Sequence, residues 1–346
     1  MVDHIKLDFN SRVPKYTQLI EAIIHNIYLG NVKTGDKVPS INTLSEEFYL
    51  SRNTVEKAFK ELKKQNVLAS YPGRGTFIAK NQVKTAFKIL FLVNKLSPFK
   101  MKIFKSFTEE LGKNYNVDLQ CYHCDESLFL ELLKKAKYTY DYFVIIPHFR
   151  TESLRHISVT ENTLKALNTL PKNKLVFLDN KIDAVENVLI ESYQDYEKDL
   201  ITSLEKEYEK LSKYKKVVLV YPLSVFYPYP HKIKSGFIKY CVKYNFDFQV
   251  IEEVGDAFKL SKDTLYITIE ESDLVSLVHQ IRKSNLVLGE NVGLISYNDT
   301  SLKELLEISV LTTNFKKMGK KTAKFIKEGK RKKLNIPFKL ITRSSI

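Results

Sequence analysis

The stretch PSINTLSEEFYLSRNTVEKAFKEL, residues 39–62, decides the first part of the fold. Pro39-Ser40 opens a short helix, with Ser40 a good N-cap and Ile41, Leu44 and Phe48 on one face. After a brief turn at Tyr49-Leu50, Ser51 caps a second helix whose Val55, Ala58, Phe59 and Leu62 face inward. Arg52, Asn53, Glu56 and Lys60 are left outside. Two short helices joined by a tight turn form a helix-turn-helix pattern. On its N-terminal side, Pro14 precedes Leu19, Ile23, Ile24 and Ile27 at helical spacing, and Gly30 with the Gly35-Asp36 turn ends that helix. On its C-terminal side, residues 67–78 alternate apolar and polar around Pro72-Gly73-Arg74-Gly75, the pattern of a two-stranded hairpin with a basic tip.

Residues 81–86 are polar with no apolar period, so they read as a linker between a head of residues 1–80 and a second unit of residues 87–346. In that unit apolar runs of strand length alternate with helical stretches. Residues 88–93, 117–122, 142–146 and 175–178 form a first group of strands, and residues 217–221, 248–251, 265–269 and 292–296 a second. Val/Ile/Leu runs separated by helices predict parallel strands buried on both faces. The fold class is therefore α/β: a winged helix-turn-helix head followed by two lobes with a cleft between them.

A chain of 346 residues with 44% hydrophobic and 27% charged residues has the composition of folded globular units, not of disorder. It has no apolar run of membrane-spanning length, and its first ten residues lack the basic start and apolar core of a signal peptide, so a cytoplasmic protein is expected. Three cysteines exclude a disulfide framework. Cys121 and Cys124 form a CxxC around His123, but no second pair of ligands at a matching spacing accompanies it, and the alternation of Leu119, Cys121 and His123 reads as a strand. No metal and no cofactor are expected. The formal net charge of +15 favours polyanionic partners, yet residues 1–80 hold 12 Lys/Arg and 8 Asp/Glu, a net +4, and residues 81–346 hold the remaining +11. Charge alone does not mark the head as a nucleic-acid binder.

The head resembles the DNA-binding domain of the GntR family. The residues that carry the likeness are Lys15-Tyr16, Gln18-Leu19, Gly30, Gly35-Asp36, Val38-Pro39-Ser40, Leu44-Ser45, Ser51-Arg52, Thr54-Val55, Ala58, Leu62 and Gly73-x-Gly75-Thr76-Phe77-Ile78. The second unit is similar to the effector domain of the LacI family and to periplasmic sugar-binding proteins, through Gly236-Phe237, residues 292–299 (VGLISYND), Leu311-Thr312-Thr313, Met318-Gly319 and residues 341–345 (ITRSS). Together these resemblances imply a sequence-specific regulator of a sugar-catabolism operon, a homodimer on double-stranded operator DNA, controlled by a monosaccharide or sugar phosphate. No enzymatic activity and no membrane partner are expected.

A recognition helix presents hydrogen-bonding side chains at its N-terminal end, where it enters the major groove. Ser51, Arg52, Asn53 and Thr54 supply them, with Arg suited to guanine and Asn to adenine. Ser40 and Asn42 on the preceding helix, and the wing tip Gly73, Arg74 and Gly75, complete the expected DNA site. Asn42 stands where many family members carry arginine, and Glu56 where a basic residue is common, so the operator and phosphate contacts differ from theirs. The LacI-like resemblance assigns Asp179 and Asn298 to the cleft, and both follow predicted strands at their carboxyl ends, where α/β sheets bind ligands. His148 follows another such strand, and Phe99 lies in the loop after the first. The family's sugar-binding arginine, three residues before Gly236, is replaced by Ile233, and His231 or Lys232 stands in for it.

An enzyme is the chief rival from another class, because α/β clefts also hold nucleotides and substrates. No GxGxxG or phosphate loop follows a predicted strand, no GxSxG or HExxH occurs, and the sequence has only 11 glycines. A periplasmic sugar-binding protein with an incidental head is a third reading. Repressor and activator are not distinguished by any residue.

Overall fold

The computed structural model describes residues 5, 7, 9, 13–28, 31–79, 86–136, 139–223, 225–255 and 257–346. Gly30 and residues 81–85 of the expected linker lie outside the described residues. The chain forms two compact units, Met1–Phe87 and Lys88–Ile346.

In the first unit α1 (Lys15–Tyr28) follows Pro14 and buries Leu19, Ile23, Ile24 and Ile27. After β1 (Lys37–Val38), the helices α2 (Ile41–Glu47) and α3 (Arg52–Lys64) begin at Ser40 and Ser51, whose hydroxyls accept from the backbone N–H of Thr43 and Thr54 at 3.1 and 3.2 Å. These bonds satisfy donors that a helix start leaves open. Leu44, Val55, Ala58, Phe59 and Leu62 join the α1 residues in one core. Tyr49 makes the turn between the helices with φ of 49°. β2 (Leu68–Tyr71) and β3 (Gly75–Ile78) pair antiparallel, and β1 adds to β3. The hairpin turns through Gly73 (φ 72°) and Gly75 (φ 104°), backbone values that glycine adopts without steric cost.

The second unit contains two six-stranded sheets. Along the chain come β4 (Phe87–Val93), α4 (Pro98–Leu111), β5 (Tyr115–Cys121), α5 (Glu126–Ala136), β6 (Tyr142–Ile145), the short pair β7 (Phe149–Arg150) and β8 (His156–Ile157), α6 (Glu161–Asn168), β9 (Leu175–Asp179) and β10 (Ile190–Tyr193). Then follow α7 (Tyr196–Lys206), α8 (Tyr208–Leu211), β11 (Lys216–Val220), α9 (His231–Lys243), β12 (Asp247–Ile251), β13 (Thr264–Thr268), α10 (Glu271–Arg282), β14 (Val292–Tyr297), α11 (Ser301–Leu305) and β15 (Ser309–Thr313). The chain ends with α12 (Phe315–Glu328), β16 (Lys332–Asn335) and β17 (Phe338–Ile341). The first sheet has the order β5-β4-β6-β9-β10-β16 and the second β12-β11-β13-β14-β15-β17. Strands β4, β6, β9, β10 and β16 run parallel, as do β11 to β15 in the second sheet, where β17 is antiparallel. Runs such as Leu175–Asp179 and Val292–Tyr297 are buried at every residue, as parallel strands covered on both faces must be.

The chain crosses between the lobes three times: from β10 to α7, from β15 to α12, and from β16 to β17. α12 returns to the first lobe and packs on α4 at Gly319, where any Cβ would collide with Ser106 Oγ and the Ile103 carbonyl. The strands β15, β16 and β17, which the apolar-run reading does not separate, are the ones that make two of these crossings. His123, expected to continue a strand, instead follows β5 in a turn, with His123 and Cys124 at φ of 51° and 56°. No helix among the described residues is long and apolar enough to cross a membrane.

Candidate functional site

Two polar surfaces stand out, one in each unit. In the head, Ser40, Asn42, Ser51, Arg52 and Asn53 are exposed around the starts of α2 and α3, and Thr54 is half-buried. The Ser51 hydroxyl lies 2.8 Å from Thr54 Oγ1, and the Arg52 Nε donates to Glu56 Oε1 at 2.8 Å, one turn along α3. That pair orients the guanidinium while leaving its side chain 68% exposed. Arg74 is exposed at the hairpin tip between Gly73 and Gly75, its backbone N–H donating to the Tyr71 carbonyl at 3.0 Å. A Cβ at Gly75 would come within 3.0 Å of Lys37 Cε. Tyr49, in the turn expected at Tyr49-Leu50, is 92% exposed.

In the second unit the polar centre is Asp179, the last residue of β9, buried and at φ of 68°. Its Oδ2 pairs with the ammonium of Lys100 on α4 and accepts from His148 Nε2 at 3.1 Å. Its Oδ1 accepts from Gln194 Nε2, and the Gln194 Oε1 accepts from Thr313 Oγ1 at 2.5 Å. A carboxylate can only accept, so His148 carries its proton on Nε2, and its Nδ1 accepts from His156 Nε2 at 2.7 Å. Gln194 sits on the first crossing between the lobes and Thr313 at the second, so this network ties Asp179 to two of the three crossings.

The electrostatics follow from that wiring. Burial alone would raise the Asp179 carboxyl, but the Lys100 ammonium and the His148 hydrogen bond outweigh it and hold the group well below the usual carboxylate range. Burial lowers the His148 imidazole despite the Asp179 hydrogen bond. Burial, with His148 and His231 adding to it, pushes His156 down to about 2. Lys95, in the loop after β4, is also lowered by burial and by Lys100, and its ammonium lies 5.4 and 4.9 Å from the rings of Tyr227 and Tyr229.

A cavity of about 160 Å³ opens beside this network. Its lining joins His156, Asn180 and Lys181 of the first lobe, Gln194 and Tyr196 of the hinge, and His231 and Lys232 at the start of α9 in the second lobe. Across the lobes, His123 Nδ1 lies 2.8 Å from Tyr227 Oη, the Arg150 guanidinium stacks 4.0 Å from the Phe226 ring, and Lys102 Nζ donates to the Asp299 carbonyl at 3.2 Å.

Among the residues expected in the cleft, His231 and Lys232 line the cavity, and Asp179 and His148 stand one hydrogen bond behind its wall. Phe99 and Asn298 are not among its lining residues. The Phe99 ring packs on Phe315 of α12 at 5.5 Å, because the start of α4 meets α12 there. Asn298 is at φ of 63° after β14, and its carbonyl, with that of Tyr297, accepts from the buried Lys303 ammonium at 3.1 and 2.8 Å. Lys100, His156, Gln194 and Thr313 escape a reading of the sequence alone, since their partners lie 79, 8, 15 and 119 residues away. Only Phe226-Tyr227-Pro228-Tyr229-Pro230, an aromatic run with prolines, gives a local signal of the loop that reaches across the lobes. Among the described residues no His/Cys/Asp/Glu group has the makings of a metal site, and Cys121 Sγ lies 3.7 Å from His123 Nδ1.

The sequence model of the bacterial regulatory proteins, gntR family, matches residues 15–78. The chain is 37% identical over 81 residues to the HTH-type transcriptional repressor YtrA of Bacillus subtilis (strain 168), which covers 23% of this chain and 62% of that protein. It is 24% identical over 225 residues to the mannosyl-D-glycerate transport/metabolism system repressor MngR of Escherichia coli (strain K12), covering 65% of this chain and 86% of the relative. The chain thus spans less than two thirds of YtrA. Of solved structures, the trehalose repressor from Escherichia coli superposes with a TM-score of 0.56 at 13% identity, over 74% of this chain and all of that one (100%). A periplasmic binding protein/LacI transcriptional regulator from Alkaliphilus metalliredigens QYMF, complexed with D-xylulofuranose, superposes with a TM-score of 0.55 at 14% identity, over 75% and 98% of the two chains. These proteins are regulators by description, and the structural likeness is one of fold. Residues 15–78 are accordingly a gntR-family helix-turn-helix domain, and most of the remaining chain has the two-lobed fold of LacI-like regulators and periplasmic binding proteins.

Proposed function

We propose that the chain is a sequence-specific transcription regulator of sugar metabolism, whose head binds operator DNA and whose two-lobed unit binds a small carbohydrate. The observation that carries this reading is the joining, in one chain, of a gntR-family head to a two-lobed unit with a polar cavity at its hinge. Arg52 and Asn53 read base edges from the start of α3, the Ser40, Asn42, Ser51 and Thr54 side chains contact phosphate, and Gly73, Arg74 and Gly75 bring the wing to the backbone. With a net +4 on each head, a homodimer on a two-fold operator supplies the affinity that one head lacks.

The effector contacts His231, Lys232, Gln194 and His156, with Asp179 and His148 behind them. Asp179 has both oxygens engaged by the protein's own donors, so it orients Gln194 and His148 rather than accepting sugar hydroxyls itself. The lining holds Lys181, His231 and Lys232 together with Asp183 and Asp195, and Lys181 pairs with Asp183 at 3.1 Å, so the effector is a monosaccharide or its phosphate. A ligand that binds one lobe arrangement better than the other shifts the protein towards it, and the Gln194–Thr313 bond links the cavity to two of the crossings.

The test is a thermal-shift screen of the purified protein against monosaccharides and their phosphates, followed by anisotropy titration of a duplex selected from random sequence, with and without the hit. A cleft ligand at 100 times its Kd adds roughly 2.7 kcal/mol. The expected result is a hit that changes operator affinity. Selection that yields no preferred duplex, or an operator affinity unmoved by a ligand shown to bind the cavity, overturns the regulatory reading.

A further inference from the structure

The head carries little of the positive charge, and the structure shows where much of the rest is gathered. Residues 315–333 contain ten Lys/Arg against Glu328, a net +9, where the whole of residues 81–346 holds +11. This segment is α12 and the strand β16 that follows it. α12 buries Phe315, Met318, Gly319, Thr322, Ala323 and Ile326 against the first lobe. Its lysines 316, 317, 320, 321, 324 and 327 fall on the opposite side, within an arc of about 140° at 100° per residue. Lys316, Lys320 and Lys324 succeed one another at four-residue intervals, about 6 Å apart along the helix.

Few carboxylates balance this face. Lys327 pairs with Glu110 at 2.7 Å, Lys324 and Lys330 approach Glu328 at 4.0 and 3.1 Å, and Lys333 pairs with Glu191 at 2.9 Å. Among the described residues, Lys316, Lys317, Lys320, Lys321 and Lys332 have no carboxylate at ion-pair distance. The lysines of one face repel one another, and a polyanion relieves that repulsion.

We infer that the α12 face is a second, sequence-independent contact for double-stranded DNA, separate from the helix-turn-helix; this rests on the reading of the chain as a DNA-binding regulator. A helix that lies in a membrane surface turns apolar residues outward, whereas the apolar residues of α12 face the lobe core. Protein interfaces are depleted of lysine, while a duplex offers one negative charge per about 1.7 Å of its axis. Linked to a head that holds DNA, the face meets its ligand at high local concentration.

The experiment compares the full-length chain with the variant Lys316→Gln/Lys320→Gln/Lys321→Gln/Lys324→Gln on a random-sequence duplex across a salt series. These side chains are on the outer face of α12, so unfolding midpoints are expected to agree, and a matched midpoint is the control for folding. Four lost phosphate contacts lower the slope of log K against log salt by about 3 to 4, at about 0.9 per phosphate. An unchanged slope and affinity overturn the inference. So does an equal loss of binding to phosphatidylglycerol vesicles or polyglutamate held as tightly as DNA, which would mark a face for acidic surfaces in general. The head is judged separately with Arg52→Ala/Arg74→Ala, read as the ratio of binding to the selected and the random duplex. Loss of that ratio with the α12 slope intact, or the reverse, tells the two readings apart.

Discussion

Arg52 and Asp179 are both charged residues at the end of a secondary-structure element, and the protein treats them in opposite ways. The Arg52 side chain is 68% exposed with one carboxylate neighbour, whereas Asp179 is buried among Lys100, His148 and Gln194. In the head, polar groups are presented outward by elements whose stability comes from apolar residues on the other side. In the cleft, polar groups are the structure, each held by another. Changes at the first surface should therefore alter binding without unfolding, and changes at the second should unfold before they inform on binding.

The sharpest break in that contrast is Asp179→Ala. Removing the carboxylate leaves the Lys100 ammonium buried without its counter-charge, a loss of about 3–5 kcal/mol in comparable buried pairs. Urea unfolding should show the midpoint falling accordingly, and adding Lys100→Met in the same chain should restore much of it. A single variant as stable as the parent would mean that water enters the network freely.

Acidification acts on the same network with a defined sign. The fold keeps His148 and His156 neutral, both below the ordinary histidine value of 6.5, while the unfolded chain takes up a proton near that value. The unfolded state then binds more protons, so stability is full above about pH 6.5 and falls as the pH drops, at about 1.4 kcal/mol per unit for each imidazole held neutral. Asp179 adds a loss of the same sign only below its unfolded value of 3.8. Urea midpoints at pH 7 and pH 5 should differ more in the parent than in His156→Gln, whose amide can still donate to His148. Equal differences would remove His156 from the account.

How far each surface was legible follows from chain distance. Ser40, Ser51 and the apolar set Leu44, Val55, Phe59 and Leu62 all fall within the single stretch 39–62, so their spacing carried the helices, caps and exposed ends of the head. Each of the eight apolar runs read as strands in the second unit is a strand, shifted at its ends by two residues or fewer. The crossings were not legible: β10 ends at Tyr193 and its neighbour β16 begins only at Lys332, and nothing local in Lys332–Asn335 marks it as a strand of the first sheet. The place of Asp179 at the end of a continuous apolar run is legible, but its partner Lys100 looks like any helix lysine until the fold brings α4 beside β9. The packing partner of Phe99 is hidden for the same reason, since α12, which takes its ring, begins only at Phe315, in the last stretch of the chain.

In the head the contrast is sharpened by Arg52→Ala. The guanidinium makes its one ion pair with Glu56 in solvent, where such pairs contribute little to stability. Binding to a selected operator should weaken by roughly ten- to a hundredfold, with relaxed preference at one base position and an unchanged unfolding midpoint. Uniform weakening across all sequences would instead make Arg52 a phosphate contact.

Ser51→Ala is the smallest of these effects and the one that joins the two sides of the comparison. The Ser51 hydroxyl accepts the Thr54 N–H and so caps α3, a role whose loss costs about 1 kcal/mol. The same hydroxyl is exposed at the end of the helix assigned to DNA. Ser51→Asp separates the two roles, because aspartate caps as well as serine and favours the positive end of the helix dipole, yet repels phosphate. If Ser51 is a cap alone, alanine lowers the midpoint and aspartate restores both midpoint and operator affinity. If it also meets phosphate, aspartate restores the midpoint while operator affinity falls below that of the alanine variant.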